Sequence, residues 1–391
     1  MKKSFCRCYK GDASRLKGKV IDVLHPGDVE EACEMVRDSE RIVIRGAGTG
    51  LAGGAVPQGD VVLDMSRLKK ISDFDGERKT VVVEAGVVLD DLQEFLGRRS
   101  DLEFPVRPSS HAVCTIGGMV ATNAVGNRGM RYGKVDEWVK WVEVIDSRGR
   151  VERKGVTEMS DYVGMEGITG VIVKICLKLN RKVVRSCSLL KLGKIEDVVQ
   201  MTLKLKQRSD VCGVEFMDKI VSVGVGFEEG YYLLVEFVEG GERSEEGGVR
   251  GEDVVVDYKR MTGKAYDRIM RRRDAVYPFV AGQGYTRIED PKIMVNRLPE
   301  FLTWLEMKGV PTFGHIGTGI LHPCFSVEQE RLIPEMMRLV RRLGGMVSGE
   351  HGIGLLKREF VEVVDRKILE TVKRRLDVDG KFNVGKVVEI A

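Results

Sequence analysis

No stretch of this 391-residue chain approaches the roughly 20 consecutive apolar residues that cross a bilayer, so no membrane-spanning segment is expected. The start, MKKSFCRCYKGD, carries basic residues but lacks the apolar centre of a signal peptide. That points to a cytoplasmic protein and leaves open peripheral attachment at the inner face of a membrane. Charge of neither sign dominates: 63 basic against 59 acidic residues leave a net +4, and no Lys/Arg block is interleaved with aromatics. Nucleic acid is therefore not an implied partner. The eight cysteines contain no C-x-x-C pair, which argues against a disulfide framework and against an iron–sulfur cluster carried by this chain. Cys6 and Cys8 are the only close pair, and reduced thiols near a chain end explain them as well as a redox or metal role does. Asn and Gln together number only 11 against 31% charged residues, a composition that leans towards a thermophile. The length is enough for two domains.

Glycine, by contrast, is concentrated. The run Ile42 to Ile44 reads as a short buried strand that feeds a loop carrying Gly46, Gly48, Gly50, Gly53 and Gly54. Bare backbone of this kind can bring successive N–H groups to a pyrophosphate, because no Cβ intervenes and positive φ costs little. A Rossmann fingerprint would open a helix, whereas here Ala55-Val56-Pro57 leads into a strand, Val61 to Met65. A P-loop would need Gly-Lys-Ser/Thr, which is missing. A plain glycine-rich turn between strands remains the alternative on this stretch alone.

Further along, Asp28-Val29-Glu30-Glu31 reads as a capped helix start, with Val29, Ala32, Cys33 and Val36 at helical spacing. Val81 to Glu84 predicts a strand, and Leu89, Leu92, Phe95 and Leu96 one face of a helix after it. Residues 107–133 form a second small-residue region whose serines, Thr115 and Asn123 offer hydrogen-bond partners to a flat ligand. Trp138 to Ile145 predicts a strand, Asp146 to Gly149 a turn, and Val171 to Leu179 a strand with one buried face. Leu189 to Leu192, Ile195 to Gln207, Val211 to Met217 and Tyr231 to Phe237 alternate strand and helix, a ferredoxin-like pattern, with Glu239 to Asp253 as a mobile loop. The whole reads as α+β.

Three of the five histidines fall in the last quarter. His315 and His322 bracket Gly317-Thr318-Gly319, a turn that can fold both imidazoles toward one point, and Glu350-His351 follow in a glycine-framed bend. Two imidazoles and a carboxylate suit zinc, manganese or iron(II), while buried core histidines fit the bare spacing too. His25 and His111 sit beside Ser or Pro in loops and read as structural.

RGAGTGLAGGAVP (45–57), RPSSHAVCTIGGMVATNAVGNRGMRYG (107–133), GMEGITGVI (164–172), HIGTGILH (315–322), GEHGIG (349–354) and GKFNVGK (380–386) occur in an order that closely resembles the FAD-linked 2-hydroxyacid dehydrogenases. This family includes D-lactate dehydrogenase, the glycolate oxidase flavoprotein subunit and D-2-hydroxyglutarate dehydrogenase, within the vanillyl-alcohol-oxidase-like superfamily. The resemblance covers nearly the whole chain. It implies a PCMH-type FAD-binding domain over residues 1–182 and an FAD-linked oxidase C-terminal domain over 183–391, with about 344–391 returning to the flavin. Position by position, it implies FAD contacts at Arg45, Gly46, Ala47, Gly48, Thr49, Gly50, Leu51 and Gly54. The second region contributes Pro108, Ser109, Ser110, Thr115, Gly117, Gly118, Thr122 and Asn123. Later contacts fall at Gly164, Glu166, Gly167, Gly170, Val171, Ile172 and Asn383. Tethering in this superfamily often uses a histidine in the glycine loop; Thr49 stands here, so noncovalent FAD is implied. Val125 departs from the family's glycine.

For the chemistry, the resemblance implies a divalent metal on His315, His322 and Glu350, His351 as the base for the substrate hydroxyl, and flavin N5 as hydride acceptor. One of Arg271, Arg272 and Arg273 would clamp the substrate carboxylate, with Arg272 preferred. The implied reaction oxidises a small D-2-hydroxy acid, D-lactate or glycolate, and passes electrons to a separate quinone, cytochrome or iron–sulfur protein. A homodimer is left open. Thr318 and Ile320 stand where the family mostly has aspartate and asparagine, which puts metal affinity and substrate identity in question. A transferase resembling alkylglycerone-phosphate synthase, and a flavin-binding subunit without catalysis of its own, are the alternatives.

Overall fold

The computed structural model describes residues 5–239 and 260–389; the loop expected from Glu239 to Asp253 lies, from residue 240 on, outside the described residues. The described residues fall into two compact units: those within 1–124, 134–182 and 350–391 form the first, those within 125–133 and 183–349 the second. The return to the first unit thus begins at Glu350, later than the expected residue 344. Residues 125–133 were expected in the first domain but pack with the second unit. There a Cβ on Gly213 would collide with the Asn127 carbonyl, and Arg128 reaches the buried Glu236 at 3.0 Å.

In the first unit, helix Val29–Asp38 starts at Asp28, whose carboxylate accepts from the Glu31 N–H at 2.8 Å, and buries Val29, Ala32 and Val36. It packs on a three-stranded parallel sheet in which Gln58–Asp64 lies between Lys19–Leu24 and Ile42–Arg45. Beside it runs a five-stranded antiparallel sheet in the order Ile71–Asp75, Thr80–Glu84, Val171–Lys178, Val139–Ile145, Val151–Lys154. Helices Leu89–Gly97 and Ile116–Thr122 share its core, through Leu92, Leu96, Ile116 and Val120. Sequence periodicity misses Lys19–Leu24, Ile71–Asp75 and Val151–Lys154. All three are edge strands broken by charged residues, so no apolar alternation marks them.

Strand Val171–Lys178 is more buried than a one-faced strand. A register shift beside Glu143 and Val144 turns Val171 and Val173 into the core of the parallel sheet, while Ile172, Ile175 and Leu177 enter the other core.

The second unit carries a six-stranded antiparallel sheet in the order Arg185–Leu192, Tyr231–Val238, Val211–Met217, Thr312–Gly314, His322–Phe325, Arg287–Ile288. Helix Ile195–Leu205 buries Val198, Val199 and Thr202. Inside the unit Glu236 accepts from Arg128 and from the Tyr266 hydroxyl at 2.5 Å, so its buried charge is compensated.

Lys386, in the first unit, is 1% exposed, and its Nζ lacks a hydrogen-bond partner among the described residues. Burial pulls its pKa from 10.5 down to about 8, against the opposing attraction of Asp60 and Asp12. Between those two values the unfolded chain binds more protons than the folded one, so stability rises with pH from 8 to 10.5; below 8 the penalty is present in full. Replacing Lys386 by Met should therefore stabilise the protein at pH 7 by about 1–3 kcal/mol and flatten that rise. Urea unfolding between pH 6 and 11 measures both, and a wild type with no slope above pH 8 would refute the assignment.

Candidate active site

The glycine loop leaves strand Ile42–Arg45 and is braced from the other side by the chain start. Ala13 N–H donates to the Gly48 carbonyl at 3.0 Å, the Arg45 guanidinium to the Gly11 carbonyl at 2.8 Å, and the Ala55 N–H to the Asp12 carboxylate at 3.2 Å. Gly48 has φ +70°, and any Cβ there would collide with the Arg45 guanidinium. Asp12 and Ala13 were not singled out by sequence reasoning, because a brace between distant segments leaves no local pattern.

Past the loop lies a narrow slot lined by Ile44, Gly46, Met65, Ala85, Thr115, Gly117, Gly118, Ala121, Glu166, Gly167, Gly170 and Ile172. Eight of these belong to the positions that the family resemblance implies for the cofactor; Ile44, Met65, Ala85 and Ala121 are additional, ordinary apolar residues that carry no motif. The glycines are required by close approach: a Cβ on Gly117 would stand 2.6 Å from that of Ala85, and one on Gly46 would collide with the Thr115 hydroxyl. Bare backbone walls and apolar faces form a cradle suited to a flat ring system.

Other expected contacts are engaged with protein. Arg45 is committed to Gly11 and lies over the Tyr9 ring at 5.4 Å. Asn123 caps helix Ile116–Thr122 with φ +49° and exchanges hydrogen bonds with Asp136. Asn383 accepts from the Ile44 N–H and donates to the Glu166 carbonyl at 2.6 Å. His111 is not isolated either: its Nδ1 lies 2.7 Å from Asp90, and its Nε2 2.6 Å from Arg107.

The bend that carries His351 is sewn to this slot. Leu355 N–H donates to the Ala52 carbonyl at 2.9 Å, Val387 N–H to the Gly354 carbonyl at 2.8 Å, and the Glu166 carboxylate accepts from Ile353 and Gly354 N–H at 2.5 and 2.9 Å. Within the bend, His351 Nε2 lies 3.5 Å from the Glu350 carboxylate.

In the second unit, strand pairing brings the histidines together. Thr312–Gly314 pairs with His322–Phe325, setting Phe313 opposite His322, and the turn between closes with φ +79° at Gly319. The rings of His315 and His322 meet edge to face at 5.2 Å, each offering a ring nitrogen within 4.8 Å of the other. Thr318 donates its hydroxyl to the His315 carbonyl at 2.9 Å, and Lys206 caps the Gly317 carbonyl at 2.6 Å. Ile320, 1% exposed, packs where a Cβ on Gly349 would touch it. Both departures from the family pattern thus have structural work in the turn.

The sheet supplies a residue that sequence reasoning missed. Phe216 pairs with Gly314, so one step on in the same register Glu215 faces His315, and its carboxylate meets His315 Nδ1 at 2.5 Å. Its other oxygen takes Arg273 Nε and Nη2 at 3.0 and 2.7 Å, all three side chains being buried. Burial would raise the Glu215 carboxyl, but His315 and Arg273 outweigh it and hold it below the usual carboxylate range. An ionised carboxylate only accepts, so His315 Nδ1 carries a proton, which leaves Nε2 as the ring nitrogen turned away from Glu215. Two imidazole nitrogens within 4.8 Å of each other, one ring oriented by a carboxylate, are a donor set that would suit a divalent ion.

Arg272, the preferred clamp, is placed elsewhere. It donates to the Gly226 carbonyl at 3.1 Å and lies over the Phe227 ring at 4.8 Å. In helix Gly263–Asp274 the next residue, Arg273, turns inward. A helical step of one residue rotates a side chain by about 100°, which a run of three arginines cannot reveal. Arg287 pairs with Glu289. Gly349, just before Glu350, is held by both the carbonyl and the carboxylate of Asp290, at 2.8 and 3.0 Å.

An α+β scaffold whose glycine loop runs into a strand and not a helix, beside a glycine-walled slot, suits a protein that holds a flat nucleotide cofactor outside the Rossmann pattern. Residues 20–155 match the family model described as FAD binding domain, and residues 182–387 the one described as FAD linked oxidases, C-terminal domain. The chain belongs to the FAD-linked oxidases, and FAD is its cofactor. It is 27% identical to a D-2-hydroxyglutarate dehydrogenase of Xanthomonas citri, over 93% of this chain and 88% of the relative. A D-lactate dehydrogenase of Archaeoglobus fulgidus is 28% identical (94% and 91% covered), as is the glycolate oxidase subunit GlcD of Bacillus subtilis (88% and 83%). The protein is thus an FAD-linked oxidoreductase of the D-lactate, D-2-hydroxyglutarate and glycolate oxidase family. No helix among the described residues is long and apolar enough to cross a membrane.

Replacing Gly48 by Leu should yield protein without bound flavin, since a side chain at φ +70° must displace Arg45 and with it the brace to Gly11. Flavin absorbance per chain measures this, and stoichiometric FAD in the variant would show the loop to be misassigned.

Proposed function

We propose that the protein oxidises a small D-2-hydroxy acid, D-lactate or glycolate, to the 2-oxo acid, and passes the electrons to a separate quinone, cytochrome or iron–sulfur acceptor. The observation that carries this reading is the buried chain Arg273–Glu215–His315, which fixes the ring of His315 in the way a metal-binding imidazole is fixed by a carboxylate behind it. Bound FAD, held noncovalently since the glycine loop offers Thr49 and no histidine, supplies the two-electron acceptor. A divalent ion on His315 and His322 would supply Lewis acidity toward the substrate hydroxyl.

The chain's own residues then divide the remaining work. His351 takes the hydroxyl proton, a role favoured by its place in a glycine-framed bend tied to the flavin slot. For the substrate carboxylate Arg272 stays the proposed clamp: it would have to release the Gly226 carbonyl and the Phe227 ring, whereas Arg273 is buried with Nε and Nη2 both given to Glu215. Glu215 keeps His315 in the tautomer that a ligand needs. The relatives named for lactate and glycolate favour a small substrate, and the absence of a nicotinamide motif favours a separate acceptor.

Anaerobic bleaching of the flavin by a panel of D-hydroxy acids tests the reaction; a flavin reduced by none of them would sink it. His351→Ala should keep FAD and metal yet slow bleaching by roughly 100-fold or more, the scale of a missing general base. His315→Ala should lose metal and turnover but keep the flavin spectrum. Glu215→Ala should weaken metal affinity by roughly 10- to 100-fold without touching FAD, as measured by titration of chelator-stripped protein. A wild type that binds no metal and keeps its rate in chelator would leave the histidine pair structural.

A further inference from the structure

Glu166 was carried over from the family as a cofactor contact. Its side chain does something else. Both carboxylate oxygens are used on backbone N–H groups of the His351 bend: Oε1 on Ile353 at 2.5 Å and Oε2 on Gly354 at 2.9 Å. These are charge-assisted bonds to amides that stand outside any helix or strand, so nothing else in the bend satisfies them. The fit is close. Gly352 has φ +80°, and a Cβ there would lie 2.6 to 2.8 Å from the Glu166 carboxyl group.

The backbone of Glu166 is equally determined. It is a non-glycine residue at φ +49° and is buried, a conformation that persists only where its surroundings hold it. Its N–H donates to the Ala121 carbonyl at 2.8 Å, and its carbonyl accepts from Asn383 Nδ2, while Asn383 Oδ1 accepts from the Ile44 N–H. Ala121, Ile44 and Glu166 itself line the flavin slot. One residue therefore both lines the slot and, through its carboxylate, anchors the bend.

We propose that Glu166 is a positioning residue: it fixes the His351 bend against the flavin slot, so that the base is set by the same backbone that holds the cofactor. This rests on the reading of His351 as the base. The bend's glycines leave it no rigidity of its own, and a carboxylate gripping two successive N–H groups supplies it.

The test uses the FAD-loaded protein in four forms: wild type, Glu166→Gln, His351→Ala and the double variant. Glu166→Gln keeps size and one acceptor but loses the charge and the second acceptor. It should retain stoichiometric FAD, speed hydrogen exchange at the Ile353 and Gly354 amides, and lower the limiting rate of flavin bleaching by D-lactate by roughly 10- to 100-fold at unchanged half-saturating concentration. In the His351→Ala background the same change should cost nothing more. Loss of FAD from Glu166→Gln, or an undiminished further loss of rate in the double variant, overturns the proposal. Exchange at Ile353 and Gly354 in the wild type needs no variant to fold: fast exchange there overturns it as well. If His351→Ala alone leaves the rate unchanged, the assignment of the base falls instead, and exchange in Glu166→Gln alone decides whether Glu166 holds the bend.

Discussion

Backbone lying directly on backbone is the constraint on which the first unit depends. Gly117 rests on Ala85, Gly354 on the Ala52 carbonyl, and Gly86 under the carbonyls of Met65 and Leu68, each so close that a methyl group would not fit. Such contacts bury polar main chain, which is tolerable only where N–H and C=O find partners: Gly86 N–H on Leu68, Gly117 N–H on Ala85, Leu355 N–H on Ala52. A slot walled in this way is rigid and thin, and its shape belongs to the main chain more than to any side chain. That explains why glycine is abundant in the cofactor motifs and why Ala85, Ala121 and Ile44 line the slot without belonging to them.

The second unit answers a different problem, that of charge out of water. Glu215 and Glu236 lie buried on one face of a sheet, on adjacent strands. Glu236 is compensated by Arg128 and Tyr266 and has no histidine nearby in its hydrogen bonds; its role is to hold residues 125–133 in place. Glu215 divides its two oxygens between Arg273 and His315. The cost of burying three charged or polar side chains is sensible where orientation matters more than stability, since an apolar trio of similar volume would be at least as stable.

The fold was legible wherever apolar residues follow a period. Val29, Ala32 and Val36, the strand at Val211–Met217 and the helix at Ile195–Leu205 stand where spacing puts them, because burial of one face is a local demand on sequence. The edge strands Ile71–Asp75 and Val151–Lys154 were not legible, since a half-paired strand needs little apolar surface. Of the site, the glycines of the cradle and the histidine pair could be named from motifs, while which of Arg271, Arg272 and Arg273 turns inward could not be read, since successive positions of one helix differ by about 100°.

By itself, then, the sequence pointed through residue type and short-range spacing to a nucleotide-bearing ligand and an α+β architecture, and through its ordered motifs, which resemble a family, to FAD and to the candidate acid–base and metal residues. Tertiary structure alone decided the partners. Glu215 meets His315 across 100 residues, Glu166 meets Gly354 across 188, and Asn383 joins Ile44 across 339. No local pattern encodes these pairs: strand register and the return of the C-terminal segment bring them together, and each carboxylate or amide then takes the role of whatever group it faces.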